Sequence, residues 1–148
     1  MTLLPSALRL SYLRGELDKH EFSRQIGEHH RALRDIASLL EGSDIAAIEL
    51  KPGIVTFVSR FGGARFPCDP VDRGLPPVVA LNFGAYERKD FFMLLQLVPP
   101  GGTFVDIGAN IGWYSIHVAI ADQDAKVIAV EPSRARSDGC WRRLRQTH

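Results

Sequence analysis

The chain has 148 residues, the length of one ordinary domain, of which 45% are hydrophobic and 24% are charged. This balance is typical of a soluble globular protein and excludes a disordered chain. The formal net charge of +1 gives no global basic field, so we expect no nucleic-acid partner. No apolar run approaches the roughly 20 residues of a membrane span, and Arg9, Arg14 and Glu16 interrupt the apolar stretch that a signal peptide would need. We therefore expect a cytoplasmic protein without a membrane span.

Residues 1–43 are predicted to form a helical extension in two pieces. Leu10, Leu13 and Leu17 recur at helical spacing. Asp18 followed by Glu21 resembles a capping box that starts a second helix. That second helix has four apolar residues on one face and a glycine at its predicted C-cap: Ile26, Leu33, Ile36, Leu40 and Gly42. Such an extension could pack on the body of the protein or on a partner.

Residues 44–81 are predicted to form short antiparallel strands and a proline-rich loop. The stretch 45–67 is rich in strand-forming residues and is broken at Pro52-Gly53 and at Gly62-Gly63. Four prolines between positions 67 and 77 indicate the loop: Pro67, Pro70, Pro76 and Pro77. A helix is then predicted from Glu87 to Val98, because apolar residues recur on one side of it and the run Pro99-Pro100-Gly101-Gly102 ends it.

Residues 82–148 are predicted to be an α/β domain that contains a βαβ unit. Thr103 to Ile107 is a short, almost wholly apolar run with an acid near its end, which is typical of a parallel strand buried on both faces. A glycine turn, a helix from about Ile111 to Ala121 and a second strand from Lys126 to Val130 follow. This order predicts a right-handed crossover between two parallel strands.

The carboxyl ends of these two strands are where an open parallel sheet binds its ligand. The first strand leads into Asp106, Gly108, Asn110 and Gly112, and the second ends at Glu131, 23 positions after Gly108. A glycine turn lets the backbone approach a ligand closely. An acid at the end of the following strand can accept both hydroxyls of a ribose. The spacing therefore predicts a nucleotide-type site.

The residues around the turn favour a cationic ligand over a dinucleotide. A dinucleotide fingerprint needs a glycine where this chain has Asn110. Asp106 would also repel a diphosphate by roughly 1 kcal/mol or more. The same carboxylate suits the ammonium and sulfonium of S-adenosylmethionine, whose ribose Glu131 could hold. An NAD-type half-domain remains the less favoured alternative.

Structural interpretations of the same residues remain open. Gly108 and Gly112 could only shape a tight corner between strand and helix, Asp106 could be a charge at a helix N-terminus, and Glu131 could be a surface acid. Cys68 and Cys140 are far apart and are predicted to be free thiols. The histidines have no metal-ligand spacing with them, so no metal site is predicted.

The stretch from Gly101 to Ser115, GGTFVDIGANIGWYS, resembles the first motif of the FkbM family of methyltransferases. Val127 to Ser133, VIAVEPS, resembles that family's second motif, and Gly84-Ala85-Tyr86-Glu87 resembles a Gly-x-Tyr-Glu element found ahead of the first. The resemblance covers about a third of the chain. It implies a Rossmann-like class I fold, S-adenosylmethionine as cofactor, and methyl transfer to hydroxyl groups of small molecules or sugars.

Carried over to this chain, the resemblance implies a set of cofactor-binding residues. Four would line the methionine end of the donor, one would hold the ribose and one would reach the donor from outside the sheet: Asp106, Gly108, Asn110 and Gly112, then Glu131, then Glu87. It assigns no catalytic base, and His117 is expected to be a packing or surface residue.

The chain departs from the family after Ser133. Only 15 residues follow, and their arginines could bind phosphate, although a solvated helix face is the simpler interpretation. We expect an incomplete methyltransferase domain that is inactive alone, with a sheet edge open to self-association. An early stop, a shifted reading frame and a genuine short protein all stay open. The alternative function is a non-catalytic remnant or an interaction module built on the N-terminal helices.

Overall fold

A computed structural model of the chain describes residues 3–132, which form a mixed α/β structure with two small sheets. The chain divides into two compact units, residues 1–41 and residues 42–148. Within the described residues the elements are, in chain order, α1 (Pro5–Leu13), α2 (Lys19–Ser38), β1 (Ile45–Lys51), β2 (Ile54–Ser59), β3 (Arg65–Pro67), α3 (Pro76–Phe83), α4 (Arg88–Leu97), β4 (Thr103–Ile107), α5 (Trp113–Ala121) and β5 (Lys126–Val130). None of these helices is long and apolar enough to cross a membrane.

The first unit is a pair of helices, as predicted. The Asp18 side chain caps α2 by accepting a hydrogen bond from the Glu21 backbone N–H at 2.8 Å. The rings of Tyr12 and Phe22 stack at 5.0 Å and join the two helices. The predicted C-cap was wrong, because α2 ends at Ser38 and the chain tightens into successive turns with i→i−3 hydrogen bonds before it reaches Gly42.

The second unit begins with the predicted antiparallel strands. The three-stranded sheet has the order β1-β2-β3, and β1 turns into β2 at Pro52-Gly53. Phe57 and Phe66 are paired across β2 and β3, and both are buried. Cys68 follows β3 and forms no disulfide within the described residues, and Cys140 lies outside them.

The proline-rich loop is shorter than predicted. The loop ends at Leu75, and Pro76 and Pro77 begin the helix α3. Proline is tolerated in the first turn of a helix because the N–H groups there have no intrahelical acceptor. Both prolines are buried with Val78 and Leu81, so this pair starts a core helix instead of continuing a loop.

The βαβ unit has the predicted strands. β4 and β5 pair in parallel, and Asp106 lies opposite Ala129. The expectation that β4 is buried on both faces was wrong for the residues described. One face of the pair, which carries Val105, Ile107, Ile128 and Val130, is between 39% and 84% exposed, whereas Phe104, Asp106, Val127 and Ala129 on the other face are half-buried or buried.

The antiparallel sheet contacts α5 and does not pair with β4. Phe66 packs on Trp113 with ring centroids 4.8 Å apart. Gly62, in the turn between β2 and β3, lies so close to Ile120 that a methyl group added at Gly62 would meet the Ile120 Cγ2 at 2.4 Å. Among residues 3–132, the outer edges of β4 and β5 have no strand partner. Edge pairing with another chain therefore stays a prediction.

Candidate functional site

The glycine turn between β4 and α5 has a left-handed backbone at three of its five positions. The φ angles are +80° at Gly108, +53° at Asn110 and +78° at Gly112. Glycine adopts such angles at no steric cost, whereas asparagine is one of the few other residues that tolerates them. A methyl group added at Gly108 would meet nothing within 4 Å. The turn therefore has open space beside it at the carboxyl end of β4.

Most backbone donors of this turn are already used within the protein. The N–H groups of Gly108 and Ala109 both donate to the Val130 carbonyl, at 2.8 and 3.1 Å. The N–H of Gly112 donates to the Ala109 carbonyl at 2.7 Å. The N–H of Asn110 donates to Glu131. A phosphate-binding loop needs such N–H groups to point at its ligand, so this turn is poorly suited to a diphosphate.

Glu131 folds back over the turn. Its Oε2 accepts the Asn110 N–H at 2.7 Å, which joins the end of β5 to the loop after β4. The side chain of Glu131 is half-buried and bonded to the turn, so this acid at the end of β5 has at least a structural contact. Its role toward a ribose stays a prediction.

Asp106 lies in β4 on the half-buried face of the sheet. Its Oδ2 accepts a hydrogen bond from Ser115 Oγ at 2.6 Å, and Ser115 is in the first turn of α5. Asp106 therefore contacts the N-terminal turn of α5 through the side chain of Ser115. This bond fixes the carboxylate relative to the start of α5.

Glu87 reaches the same helix from outside the sheet. Its carboxylate accepts a hydrogen bond from the Tyr114 hydroxyl, across 27 positions of sequence. Burial first, and then the Glu87 carboxylate, raise the pKa of both Tyr114 and Tyr86 above the ordinary value of a phenol. Both phenols therefore keep their protons at neutral pH, and Tyr114 acts as a donor.

The segment between α3 and α4, which contains Glu87, is hydrogen-bonded to Asp44, the residue before β1. The Arg88 guanidinium donates from Nε to Oδ1 of the buried Asp44 at 2.9 Å, and the Asp44 N–H donates to the Gly84 carbonyl at 2.8 Å. These bonds hold Glu87 at φ +44°, a left-handed angle that glutamate rarely adopts. The backbone at Glu87 is therefore fixed from both sides.

Asn110 contributes a buried acceptor without a partner. Its side-chain oxygen Oδ1 is shielded from solvent and has no hydrogen-bond partner in the part of the chain described. Buried polar atoms in native proteins are nearly always paired, and an unpaired one costs about 1–3 kcal/mol. A ligand that donates a hydrogen bond here would satisfy it.

His117 is a packing residue, in agreement with the expectation. Its ring lies 4.6 Å from Trp113 and is 2% exposed. Burial lowers the pKa of His117 to about 4, against the opposing effects of the Trp113 carbonyl and the Asp44 charge. The Ser59 hydroxyl beside it is also buried, so this serine–histidine pair cannot meet a substrate.

Sequence reasoning missed Tyr114, Ser115 and the Asp44–Arg88 pair. The two hydroxyl residues lie in the first turn of α5, two and three positions after Gly112, and the first turn of such a helix lies near the end of the preceding strand. That signal was present in the sequence. The arginine-rich segment 134–148 lies outside the described residues.

Comparison of the chain with protein-family models, with curated proteins and with solved structures gives no match. Residues 3–132 contain no group of three histidine, cysteine or acidic side chains arranged to hold a metal ion.

Proposed function

We propose that the chain binds S-adenosylmethionine at the carboxyl ends of β4 and β5, as part of a Rossmann-like methyltransferase domain of the FkbM type. The observation that carries the proposal is that three carboxylates are bonded to one short segment, which comprises the glycine turn and the first turn of α5. Glu131, Glu87 and Asp106 each have one oxygen held by a donor from residues 110–115. Their positions in sequence coincide with the motifs that resemble this family.

The chemistry of the site fits this donor. S-adenosylmethionine carries an ammonium and a sulfonium, which carboxylates attract, and ribose hydroxyls, which a carboxylate can accept. The unpaired Asn110 Oδ1 is an acceptor for one further donor group. The open space beside Gly108 leaves room for a ligand against the backbone.

NAD fits less well on two grounds. Four of the five N–H groups in residues 108–112 donate within the protein. A diphosphate placed at the turn would also lie near Asp106 and would be repelled by roughly 1 kcal/mol or more. Both effects favour a cationic ligand over an anionic one.

The reaction proposed is transfer of a methyl group to a hydroxyl oxygen of a small molecule or sugar. When bound, S-adenosylmethionine supplies an electrophilic methyl group on sulfur. Glu131 would hold the ribose, and Asp106 with Glu87 would orient the amino-acid end, so that the protein's contribution is alignment. Among the described residues we assign no group that takes the hydroxyl proton, since His117 is buried.

Competition binding tests the cofactor. We expect S-adenosylmethionine and its demethylated product to bind and to displace NAD in saturation-transfer NMR. Equal or better binding of NAD would overturn the proposal in favour of a dinucleotide site.

A non-catalytic interaction module is the second candidate. The observation that favours it is a set of apolar side chains on α1 and α2 that are more than half exposed: Leu10, Leu13 and Leu33. Isothermal calorimetry separates the two candidates, because an interaction module without a cofactor site gives no heat with S-adenosylmethionine.

A further inference from the structure

The first turn of α5 carries two adjacent hydroxyl side chains, and each one holds a different carboxylate. Tyr114 donates to Glu87, and Ser115 donates to Asp106 at 2.6 Å. The two acids are far apart in sequence and belong to different elements. The first turn of α5 therefore contacts both carboxylates, Glu87 and Asp106.

Neither acid is neutralised by the protein. Within residues 3–132, Glu87 and Asp106 form no ion pair, while the neighbouring Arg88 is engaged by Asp44. A carboxylate without an ion-pair partner attracts a cation. A neutral hydroxyl donor orients each acid without adding a positive charge beside it.

Glu87 acts neither as a side-chain cap of α4 nor as a core residue. Its side chain makes no capping hydrogen bond to α4, although Glu87 occupies the N-cap position. The residue is exposed, so it does not contribute to the core. Together with Asn110 it is one of the two non-glycine residues at positive φ in the described chain. Asn110 lies in the glycine turn, and Glu87 accepts a hydrogen bond from Tyr114 in the helix that follows this turn. Strained residues of this kind persist where the surrounding structure enforces them, which is common at functional sites.

We propose that Tyr114 and Ser115 are positioning residues, which orient Glu87 and Asp106 to bind the ammonium group at the amino-acid end of the methyl donor. The inference rests on the function proposed above and adds to it the residues that determine recognition of that end. Tyr114 acts as a hydrogen-bond donor and not as a base. Its hydroxyl transfers no proton in the reaction.

The test compares two ligands that share the adenosine half. S-adenosylmethionine has the amino-acid end and a sulfonium, whereas 5′-methylthioadenosine has neither. The demethylated product, which keeps the amino-acid end on a neutral sulfur, is measured beside them and should show the same loss as S-adenosylmethionine. Tyr114→Phe keeps the ring and its packing and removes only the hydroxyl. We expect the variant to bind S-adenosylmethionine about tenfold more weakly in calorimetry, as the loss of one hydrogen bond to a charged group predicts. Its affinity for 5′-methylthioadenosine should not change.

Ser115→Ala should give the same selective loss, and Tyr12→Phe, which removes a tyrosine hydroxyl from the other unit, should leave both affinities unchanged. A loss for both ligands alike would mean that Tyr114 only maintains the fold, and would overturn the inference. So would unchanged binding of S-adenosylmethionine by Tyr114→Phe. If the unmodified chain binds neither ligand, the proposed function itself is wrong and the inference falls with it.

Discussion

Ser59 and His117, 58 positions apart, form a buried hydrogen bond of 2.8 Å that joins β2 to α5. The other ring nitrogen, Nδ1, lies 2.6 Å from the Trp113 carbonyl. Since a carbonyl only accepts, Nδ1 carries the proton, and Nε2 accepts from the Ser59 hydroxyl. The Ser59 oxygen in turn accepts the Phe61 N–H at 3.1 Å. This network accommodates a neutral imidazole, and burial of the ring favours that neutral form.

The free energy of unfolding should therefore depend on the protonation of His117. Its pKa is lowered from 6.5 to about 4 in the folded chain, chiefly by burial. Between these values the unfolded chain binds more protons, so stability is complete above pH 6.5 and falls as the pH drops toward 4. We expect a loss of up to about 3 kcal/mol from this group, measured by urea unfolding at several pH values. His117→Gln should flatten the dependence, whereas His20→Gln, at an exposed position, should not. Equal slopes in all three proteins would show that His117 does not titrate in this range.

Gly62 should tolerate a side chain less well than its neighbour Gly63. Both have positive φ angles, +65° and +70°, so alanine at either position costs about 1 kcal/mol in backbone strain. At Gly62 the new Cβ would also lie 2.4 Å from Ile120 Cγ2, whereas at Gly63 it would meet nothing within 4 Å. We expect Gly62→Ala to destabilise the fold by about 1–3 kcal/mol more than Gly63→Ala in chemical unfolding. The difference should shrink in an Ile120→Ala background, and a difference that persists there would contradict the proposed clash.

Arg88→Met should be more costly than the loss of an exposed ion pair. It leaves Asp44, which is 2% exposed, without its partner, and the expected loss of stability is about 1–3 kcal/mol or more. Arg65→Met is the matched control, because Arg65 pairs with Glu49 at the surface and such pairs contribute about 0–1 kcal/mol. Adding Asp44→Asn should recover part of the loss in Arg88→Met, since it removes the unpaired charge. Equal effects of the two arginine variants would mean that Asp44 is solvated without Arg88.

The βαβ strands could be predicted to the residue because each is a short apolar run bounded by turn residues. Thr103–Ile107 and Lys126–Val130 leave little freedom in where a strand begins or ends. What covers a strand cannot be deduced from its own residues, so the exposure of Val105 and Ile107 could not be predicted. The helix α3 was missed because a proline pair indicates a loop and a helix start equally well.

The candidate site could be predicted in outline but not in its contacts. The acids and glycines at the strand ends follow from local patterns. The bond from Tyr114 to Glu87 and the bond from Arg88 to Asp44 connect residues 27 and 44 positions apart. Such bonds depend on how elements pack, which periodicity does not specify.

Glu131 provides the last test, because one side chain is assigned both to the turn and to the ribose. Glu131→Gln keeps an oxygen that can accept the Asn110 N–H but removes the charge, so the turn should survive while ribose binding weakens. We expect a loss of about tenfold in calorimetry for both S-adenosylmethionine and 5′-methylthioadenosine, since both contain the ribose. This pattern differs from that of Tyr114→Phe, which should affect only the first ligand. Glu41→Gln, at an exposed position, should change neither affinity. If Glu131→Gln binds both ligands normally while Glu131→Ala lowers the unfolding midpoint, the acid serves the glycine turn alone and the ribose is held by another group.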